Sequence, residues 1–233
     1  MNFQELSVDP ISHHKQLNPK LWEDNRLIPE IRHKLMIIAK HFAEYLNVER
    51  LNLKDITISG SNASYGYSDN SDLDLHLVAV VKDAEQAELF DAKKNVYNSK
   101  YNITIKDIDV ELYVQDYKQT HHSSGIYSVL HDKWISEPKG DAPKATHKEV
   151  KAKARNYASR INQALKSGDL GTAKDTMAGI RKLRQAGLEA GGEYSVENLA
   201  FKLLRARGQI DKLRKYIDKL ESAKLSIGEH NES

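Results

Sequence analysis

The spacing of apolar residues predicts a helix near the start of the chain. Five of them recur at intervals of four, three, four and four, which places them on one face of a helix: Ile31, Leu35, Ile38, Phe42 and Leu46. Pro29 suits the first turn of this helix, because a proline there loses no intrahelical hydrogen bond.

Alternation of apolar and polar residues after this helix predicts a small β-sheet. The alternating segments are Asp55–Ser59, Leu73–Val81, Tyr101–Lys106 and Ile108–Gln115. A helix is expected between the second and third strands, over Asp83–Lys94. The segment Ser124–Leu130 suits an edge strand or a loop, and we expect Trp134 and Ile135 to pack back onto the sheet.

Beyond the sheet the apolar spacing becomes helical. Pro138 and Pro143 interrupt regular structure twice, so the segment between them is the expected linker. The helices expected after it carry the stripes Val150–Ala154–Tyr157–Ile161–Leu165, Ala173–Met177–Ile180–Leu183 and Ile210–Leu213–Ile217–Leu220. The second helix should end near Gly187 and Gly191-Gly192, and Ser195 is the expected cap of another helix, which precedes the last stripe and runs to Arg207. The predicted fold class is α+β, with a small mixed sheet flanked by helices over residues 1–140 and a helical domain over residues 145–233.

Composition limits the setting in which the chain works. It has no cysteine, which excludes disulfides and thiolate metal sites. No apolar run approaches the roughly 20 residues of a membrane span, and the N-terminus lacks the order of a secretion signal, so we expect a cytoplasmic protein that binds no membrane. Residues 146–233 hold 18 Lys and Arg against 11 Asp and Glu, whereas the rest of the chain is acidic.

The residues that carry candidate chemistry cluster between the predicted strands. Gly60-Ser61 follows the first strand, and Asp72-Leu73-Asp74 opens the second one. Side chains two residues apart on a strand leave the same face about 7 Å apart, so Asp72 and Asp74 can converge on an ion between them. Asp109 and Glu111 likewise share one face of a later strand.

These residue types suit nucleotide chemistry. A glycine lets the backbone approach a ligand closely, and Ser61 offers a hydroxyl and an amide to phosphate oxygens. Carboxylates prefer hard cations such as Mg²⁺, and two such ions can activate an attacking hydroxyl and stabilise a leaving pyrophosphate. If the two acidic strands are neighbours, at least three carboxylates meet in one cleft.

The pattern resembles the DNA polymerase beta-type nucleotidyltransferase superfamily. Its signature is an apolar strand, Gly-Ser or Gly-Gly, a short helix, Asp-x-Asp and a later acidic residue on a strand, matched here by Gly60-Ser61, Asp72, Asp74 and either Asp109 or Glu111. The segment Ser71-Asp72-Leu73-Asp74-Leu75 is especially similar to the corresponding motif of the minimal nucleotidyltransferases of bacteria and phages. The resemblance covers residues 56–115.

The resemblance implies an activity and a set of ligands. The chain would be an enzyme that moves a nucleoside monophosphate from a nucleoside triphosphate to an acceptor hydroxyl and releases pyrophosphate. Asp72, Asp74 and Asp109 or Glu111 would be catalytic and hold Mg²⁺ or Mn²⁺, and Gly60 and Ser61 would bind the triphosphate. We favour Glu111 slightly, because Val110–Val114 is the firmest part of its strand. The departure is Ser64-Tyr65-Gly66, where the minimal family often has Arg-Gly, so no arginine is expected at the phosphates.

The acceptor stays open at this level. RNA, such as a tRNA end, is favoured because basic residues crowd the helices between Arg181 and Lys219, although a solvated helical face has the same composition. The alternatives are a protein hydroxyl, a small molecule, a second nucleotide in a messenger synthase, or binding of nucleotide or RNA without turnover. Tyr65 and Tyr67 could stack on a nucleobase or pack within a loop, and for His76 a structural hydrogen bond is favoured over a role at the ligand.

Overall fold

In the computed structural model, which describes residues 13–47, 51–69, 71–119, 123–140 and 145–226, the first apolar stripe forms a helix. Two short paired strands, β1 (Trp22–Glu23) and β2 (Arg26–Leu27), precede this helix, α1 (Pro29–Leu46). The helix buries all five residues of the predicted stripe. It ends at Asn47, which adopts the left-handed conformation that asparagine tolerates.

A mixed sheet forms the centre of the unit that lies within Ser12–Ala142. Among the described residues it has six strands in the order β5-β6-β4-β3-β7-β8. Their bounds are β3 (Leu53–Ser59), β4 (Leu73–Ala79), β5 (Thr104–Ile105), β6 (Ile108–Asp116), β7 (Ile126–Ser128) and β8 (Lys133–Ser136). The pair β4–β6 is parallel and the other pairs are antiparallel.

Helix α2 (Ala84–Lys100) makes the crossover that the parallel pair requires. Asp83 caps the helix by accepting a hydrogen bond from the amide of Gln86 at 2.8 Å. Near the other end, the Asn98 side chain donates to the carbonyl of Leu112 at 3.0 Å and accepts from the amide of Leu112 at 3.1 Å. Asn98 thereby satisfies both backbone groups of Leu112, and it ties α2 to strand β6.

The two faces of the sheet differ in chemistry. Leu73, Leu75 and Leu77 of β4 are buried in one apolar core with the stripe of α1. Phe90 and Tyr97 of α2 belong to the same core. The intervening residues of β4 are half-buried and include Asp74 and His76. Strict alternation along β4 therefore gives one face to the core and leaves the acidic residues on the other face.

Several sequence predictions need correction in this unit. Helix α2 runs to Lys100, about a turn and a half beyond the predicted end. The predicted strand Tyr101–Lys106 is reduced to Thr104–Ile105. Tyr101 caps the end of α2, and Lys106 and Asp107 have positive φ and form the turn of a hairpin. Ile135 does not pack onto the sheet but is 56% exposed, since it alternates with Trp134 on the edge strand β8.

Four helices make up the described part of the unit within Pro143–Ser233, which has its own apolar core. They are α3 (His147–Ser167), α4 (Leu170–Gly191), α5 (Val196–Ala206) and α6 (Gln209–Leu225). Thr146 and Glu149 form a capping box at the start of α3, and Ser195 caps α5 as expected. The hydrogen bonds from Thr146 lower the pKa of the exposed Glu149 carboxyl.

The predicted stripe of α4 is wrong in its last turn, whereas the predicted end near Gly191-Gly192 is confirmed. Leu183 is 38% exposed, and the helix continues past Gly187 to Gly191. The inward positions are Arg184, which lies 4.5 Å from the Phe201 ring centroid, and Gly187, which is buried. A Cβ atom at Gly187 would lie 2.7 Å from the Cβ of Glu197, so the glycine permits a close helix crossing instead of ending the helix.

The structure confirms the α+β class, with a central sheet, flanking helices and a helical C-terminal region. No helix in the described ranges is both long enough and apolar enough to cross a membrane. The expected linker from Pro138 to Pro143 lies partly outside the described residues.

Candidate active site

The acidic residues singled out from the sequence lie on β4 and β6 or directly before β4, on the polar face of the sheet. Asp74 pairs with Glu111 across the parallel ladder, and it pairs with Ser59 across the antiparallel ladder. Ser59, Asp74 and Glu111 therefore form one row over three neighbouring strands, which are about 4.8 Å apart. This register brings two of the four predicted carboxylates directly opposite each other.

Asp72 directly precedes β4, and Asp109 is the second residue of β6. Asp72 comes one residue before Leu73, and Asp109 one residue before Val110, and Leu73 and Val110 form the first β4–β6 pair. Asp72 is half-buried, whereas Asp109 is exposed and pairs with Thr104 on the opposite side of β6. Glu111 is half-buried and lies level with Asp74. The register thus places Glu111, and not Asp109, directly beside Asp74.

Gly60 lies directly against the carboxylate of Asp74. A Cβ atom at position 60 would be 2.2 Å from Asp74 Oδ2, far inside van der Waals contact. The backbone of Gly60 has φ 77° and ψ −160°, a combination that is essentially restricted to glycine. Both the conformation and the space at this position therefore require glycine.

The backbone amide of Gly60 already has a partner. It donates a hydrogen bond to Ser123 Oγ at 3.0 Å, and that hydroxyl donates to the carbonyl of Gly125 at 2.9 Å. Ser61 starts a 3₁₀ turn, Ser61–Ala63, and its carbonyl accepts from both the amide and the hydroxyl of Ser64 at 3.1 Å. A phosphate at this turn would therefore meet the amide and the hydroxyl of Ser61 and not the Gly60 amide.

Asn62 holds this turn to the start of β4. Its fully buried side chain donates to the carbonyls of Ser71 at 2.9 Å and Asp72 at 3.0 Å, and it accepts from Asn18 Nδ2 at 2.9 Å. The Trp22 indole donates to the Asn62 carbonyl at 2.7 Å. These bonds fix the backbone at Asp72 relative to the Gly60–Ser61 turn.

The roles of Asn62 and Asn18 were not predicted from the sequence patterns. The available signal was an amide side chain among small residues, Ser61-Asn62-Ala63-Ser64, directly after a glycine turn. Asparagine is seldom buried without hydrogen-bond partners, so its presence there indicates a polar contact inside the fold. The partners themselves are 44 and 9 to 10 residues away along the chain.

A row of polar side chains continues from the carboxylates along the sheet. His76 Nε2 lies 3.0 Å from Ser59 Oγ, which is the structural hydrogen bond favoured from the sequence. The His76 ring stacks on Tyr113 with centroids 5.0 Å apart and planes inclined by 19°. The Tyr113 hydroxyl donates a hydrogen bond to Glu111 Oε2.

Tyr67 packs within its loop. Its ring stacks on His14 at a centroid distance of 3.9 Å, and the His14 backbone amide donates to the carbonyl of Tyr65 at 2.8 Å. Burial raises the pKa of the Tyr67 hydroxyl. Loop packing is thus the observed role of Tyr67 in this conformation.

The donor set suits a hard cation by type and by placement. Asp72, Asp74 and Glu111 offer carboxylate oxygens, the ligands that Mg²⁺ and Mn²⁺ prefer, and strand alternation sends all three to one face. In the conformation described, no three His, Asp or Glu side chains among the described residues form a ready-made metal cluster. The fit therefore rests on donor chemistry and a common face.

Comparison of the sequence with models of protein families gives no match. Comparison with curated proteins gives none either.

We predict that Asn62→Ala destabilises the protein by about 3 kcal/mol, because it leaves the buried carbonyls of Ser71 and Asp72 without their donor. Urea denaturation followed by circular dichroism measures this free energy of unfolding. Asn102→Ala, at an exposed position, is the matched control and should change it by less than about 0.5 kcal/mol. Equal effects of the two substitutions would contradict the role of Asn62.

Gly60→Ala should destabilise the protein more than Gly168→Ala, by about 1–3 kcal/mol, because it overlaps a carboxylate and also places an alanine in a φ/ψ region that is restricted to glycine. Gly168 also has a positive φ, but it has no atom within 4 Å of a built Cβ. In an Asp74→Ala background the overlap disappears, so the excess cost of Gly60→Ala should shrink. Denaturation of the four variants measures this coupling, and an undiminished cost in the double variant would exclude the Gly60–Asp74 contact as its cause.

Proposed function

We propose that this protein is a metal-dependent nucleotidyltransferase that moves a nucleoside monophosphate from a nucleoside triphosphate to an acceptor hydroxyl. The observation that carries the proposal is the register of β3, β4 and β6, which aligns Ser59, Asp74 and Glu111 beside a glycine turn. An acidic pair on a strand is common in proteins. Its alignment with a third carboxylate, over a turn that only glycine can form, is a much more specific arrangement.

Asp72, Asp74 and Glu111 would hold Mg²⁺ or Mn²⁺ on the polar face of the sheet. Metal ions held there would neutralise charge on the phosphates and favour loss of the proton from the acceptor hydroxyl. Glu111 is favoured over Asp109 as the third ligand, because it is half-buried and pairs with Asp74, whereas Asp109 is exposed. Asp109 is the second choice for the same position.

The chain's own residues bind and orient the substrates. The Ser61 hydroxyl and amide would bind the triphosphate at the turn, with the Gly60 backbone providing the close approach. The acceptor oxygen forms a bond to the α-phosphorus, and the bond from that phosphorus to the β-bridging oxygen breaks and releases pyrophosphate. The acceptor's proton passes to the Glu111 carboxylate and from there to solvent.

The acceptor that we favour is RNA. At least four basic residues on the described C-terminal helices have acidic partners: Lys153 with Glu197, Lys174 with Glu221, Lys202 with Glu193 and Arg214 with Asp211. Three other lysines of α6, at spacings of three and four, are exposed on the side away from buried Ile210 and Leu213: Lys212, Lys215 and Lys219. A stripe of exposed lysines on one helix face suits a phosphate backbone.

The test offers each of the four α-labelled nucleoside triphosphates with Mg²⁺ or Mn²⁺ to RNA, to protein and to no acceptor. We expect label transfer with release of pyrophosphate, and a fall of more than about 100-fold in Asp72→Asn and Asp74→Asn, because each removes an anionic ligand. Asp107→Asn is the matched control, since Asp107 is exposed and asparagine tolerates its positive φ.

Each outcome of this test has a distinct meaning. Transfer that survives both Asp72→Asn and Asp74→Asn would contradict the proposed site. Label on protein or in free dinucleotides would replace RNA as the acceptor while keeping the chemistry. No transfer under any condition would contradict catalysis and leave binding of nucleotide or RNA as the function.

A further inference from the structure

The polar face of the sheet holds a chain of side-chain contacts that ends at Glu111. His76 and Tyr113 are paired across β4 and β6, two residues along the ladder from the pair Asp74 and Glu111 and on the same face of the sheet. The chain begins at Ser59 Oγ, which lies 3.0 Å from His76 Nε2, and continues through the stacked rings of His76 and Tyr113. The Tyr113 hydroxyl then donates to Glu111 Oε2.

Tyr113 is held on several sides. Besides the His76 ring at 5.0 Å, the ammonium group of Lys94 lies 5.4 Å from the Tyr113 ring centroid. Lys94 itself forms an ion pair with Asp91 on the same helix, α2. A ring that contacts both a neighbouring strand and the crossover helix has little freedom to turn, so its hydroxyl is a fixed donor.

A fixed donor matters for a glutamate more than for an aspartate. The Glu111 carboxylate stands at the end of a longer side chain, and ordering such a chain costs more rotamer entropy. A hydrogen bond from an immobile hydroxyl to Oε2 restricts the carboxylate before any ligand arrives. The other oxygen, Oε1, keeps its acceptor capacity for an ion or a substrate proton.

We propose that Tyr113 is a positioning residue that orients the Glu111 carboxylate for nucleotidyl transfer; this inference rests on the proposed function of the same site. Tyr113 acts through Glu111 and touches neither the metal nor the nucleotide. Partners of this kind, one step removed from a metal ligand, typically change metal affinity or activity by 10- to 100-fold when removed. The Ser59–His76 contact supports the ring and is expected to matter less than the hydroxyl.

The test compares Tyr113→Phe, Glu111→Gln and the double variant in the full-length protein. Tyr113→Phe keeps the stacked ring and removes only the hydroxyl, so thermal melting should stay close to that of the wild type. Tyr117→Phe is the matched control, because Tyr117 is 48% exposed just beyond the end of β6. The readouts are kcat and KM for the triphosphate, and the affinity for Mn²⁺ measured by electron paramagnetic resonance of the protein without nucleotide.

We expect Tyr113→Phe to lower kcat by about 10-fold, to leave KM nearly unchanged and to weaken Mn²⁺ binding by about 10-fold. In the Glu111→Gln background the same substitution should change neither quantity by more than about twofold, because the carboxylate that it orients is gone. Para-aminophenylalanine in place of Tyr113 retains a donor at the ring end and should restore most of the loss.

Other outcomes would overturn the inference. Tyr113→Phe equal to Tyr117→Phe, an equally large loss in the Glu111→Gln background, or tighter Mn²⁺ binding would each exclude a positioning role. If Tyr113→Phe does not fold, the protein with para-aminophenylalanine at position 113 is tested in its place. If that protein folds but binds Mn²⁺ more weakly than the wild type, the result counts against the positioning role of Tyr113. Loss of transfer in Asp74→Asn with no effect of Tyr113→Phe leaves the proposed function standing without the inference. Absence of transfer with weakened Mn²⁺ binding in Tyr113→Phe would support the orientation of Glu111 at a metal site but would contradict its use in nucleotidyl transfer.

Discussion

The backbone of Gly60 and the carboxylate of Asp74 occupy adjoining space that leaves no room for a side chain. This steric constraint limits the end of β3 and the start of β4 to a backbone path that passes close to the Asp74 carboxylate. Asn62 then holds the turn against the backbone at Ser71 and Asp72. The geometry of the candidate site depends on these contacts, because they set the position of Asp72 and Asp74 relative to the Gly60–Ser61 turn.

The same alternation that builds the core also builds the site. Leu73, Leu75 and Leu77 enter the apolar core, and the residues between them are sent to the opposite face. Burial of the leucines therefore stabilises the placement of Asp74 as well as the fold. Carboxylates that share a face repel one another, so the fold holds an arrangement that a bound cation would favour.

Sequence patterns predicted the parts of the fold that follow from local periodicity. They gave the apolar stripe of α1, the faces of β4 and β6 and the cap at Ser195. They were wrong at Leu183, where Arg184 and Gly187 take the inward positions, and at Ile135, where the edge strand exposes its outer side. Both errors concern contacts between one helix or strand and the elements packed beside it. The local spacing of apolar residues does not encode these contacts.

The same limit applies to the candidate site. Asp72, Asp74, Asp109 and Glu111 could be selected from the sequence, but the choice between the last two depends on the register of β4 and β6. That register follows from the crossover through α2 and from the two-residue hairpin turn at Lys106 and Asp107. Asn62 was not assigned, because Asn18, Ser71 and Asp72 come near it only in the folded chain. Tyr113 was not assigned, because the stacking of its ring on His76 of the neighbouring strand is set by the fold.

A crystal structure of the protein with Mn²⁺ and a triphosphate analogue that cannot be cleaved between its α and β phosphates tests the central claim most directly. We expect anomalous density within coordination distance of the Asp72, Asp74 and Glu111 carboxylates, with the phosphates against the Gly60–Ser61 turn. Mn²⁺ and phosphates bound on another surface, with these three carboxylates making no contact to either, would contradict it.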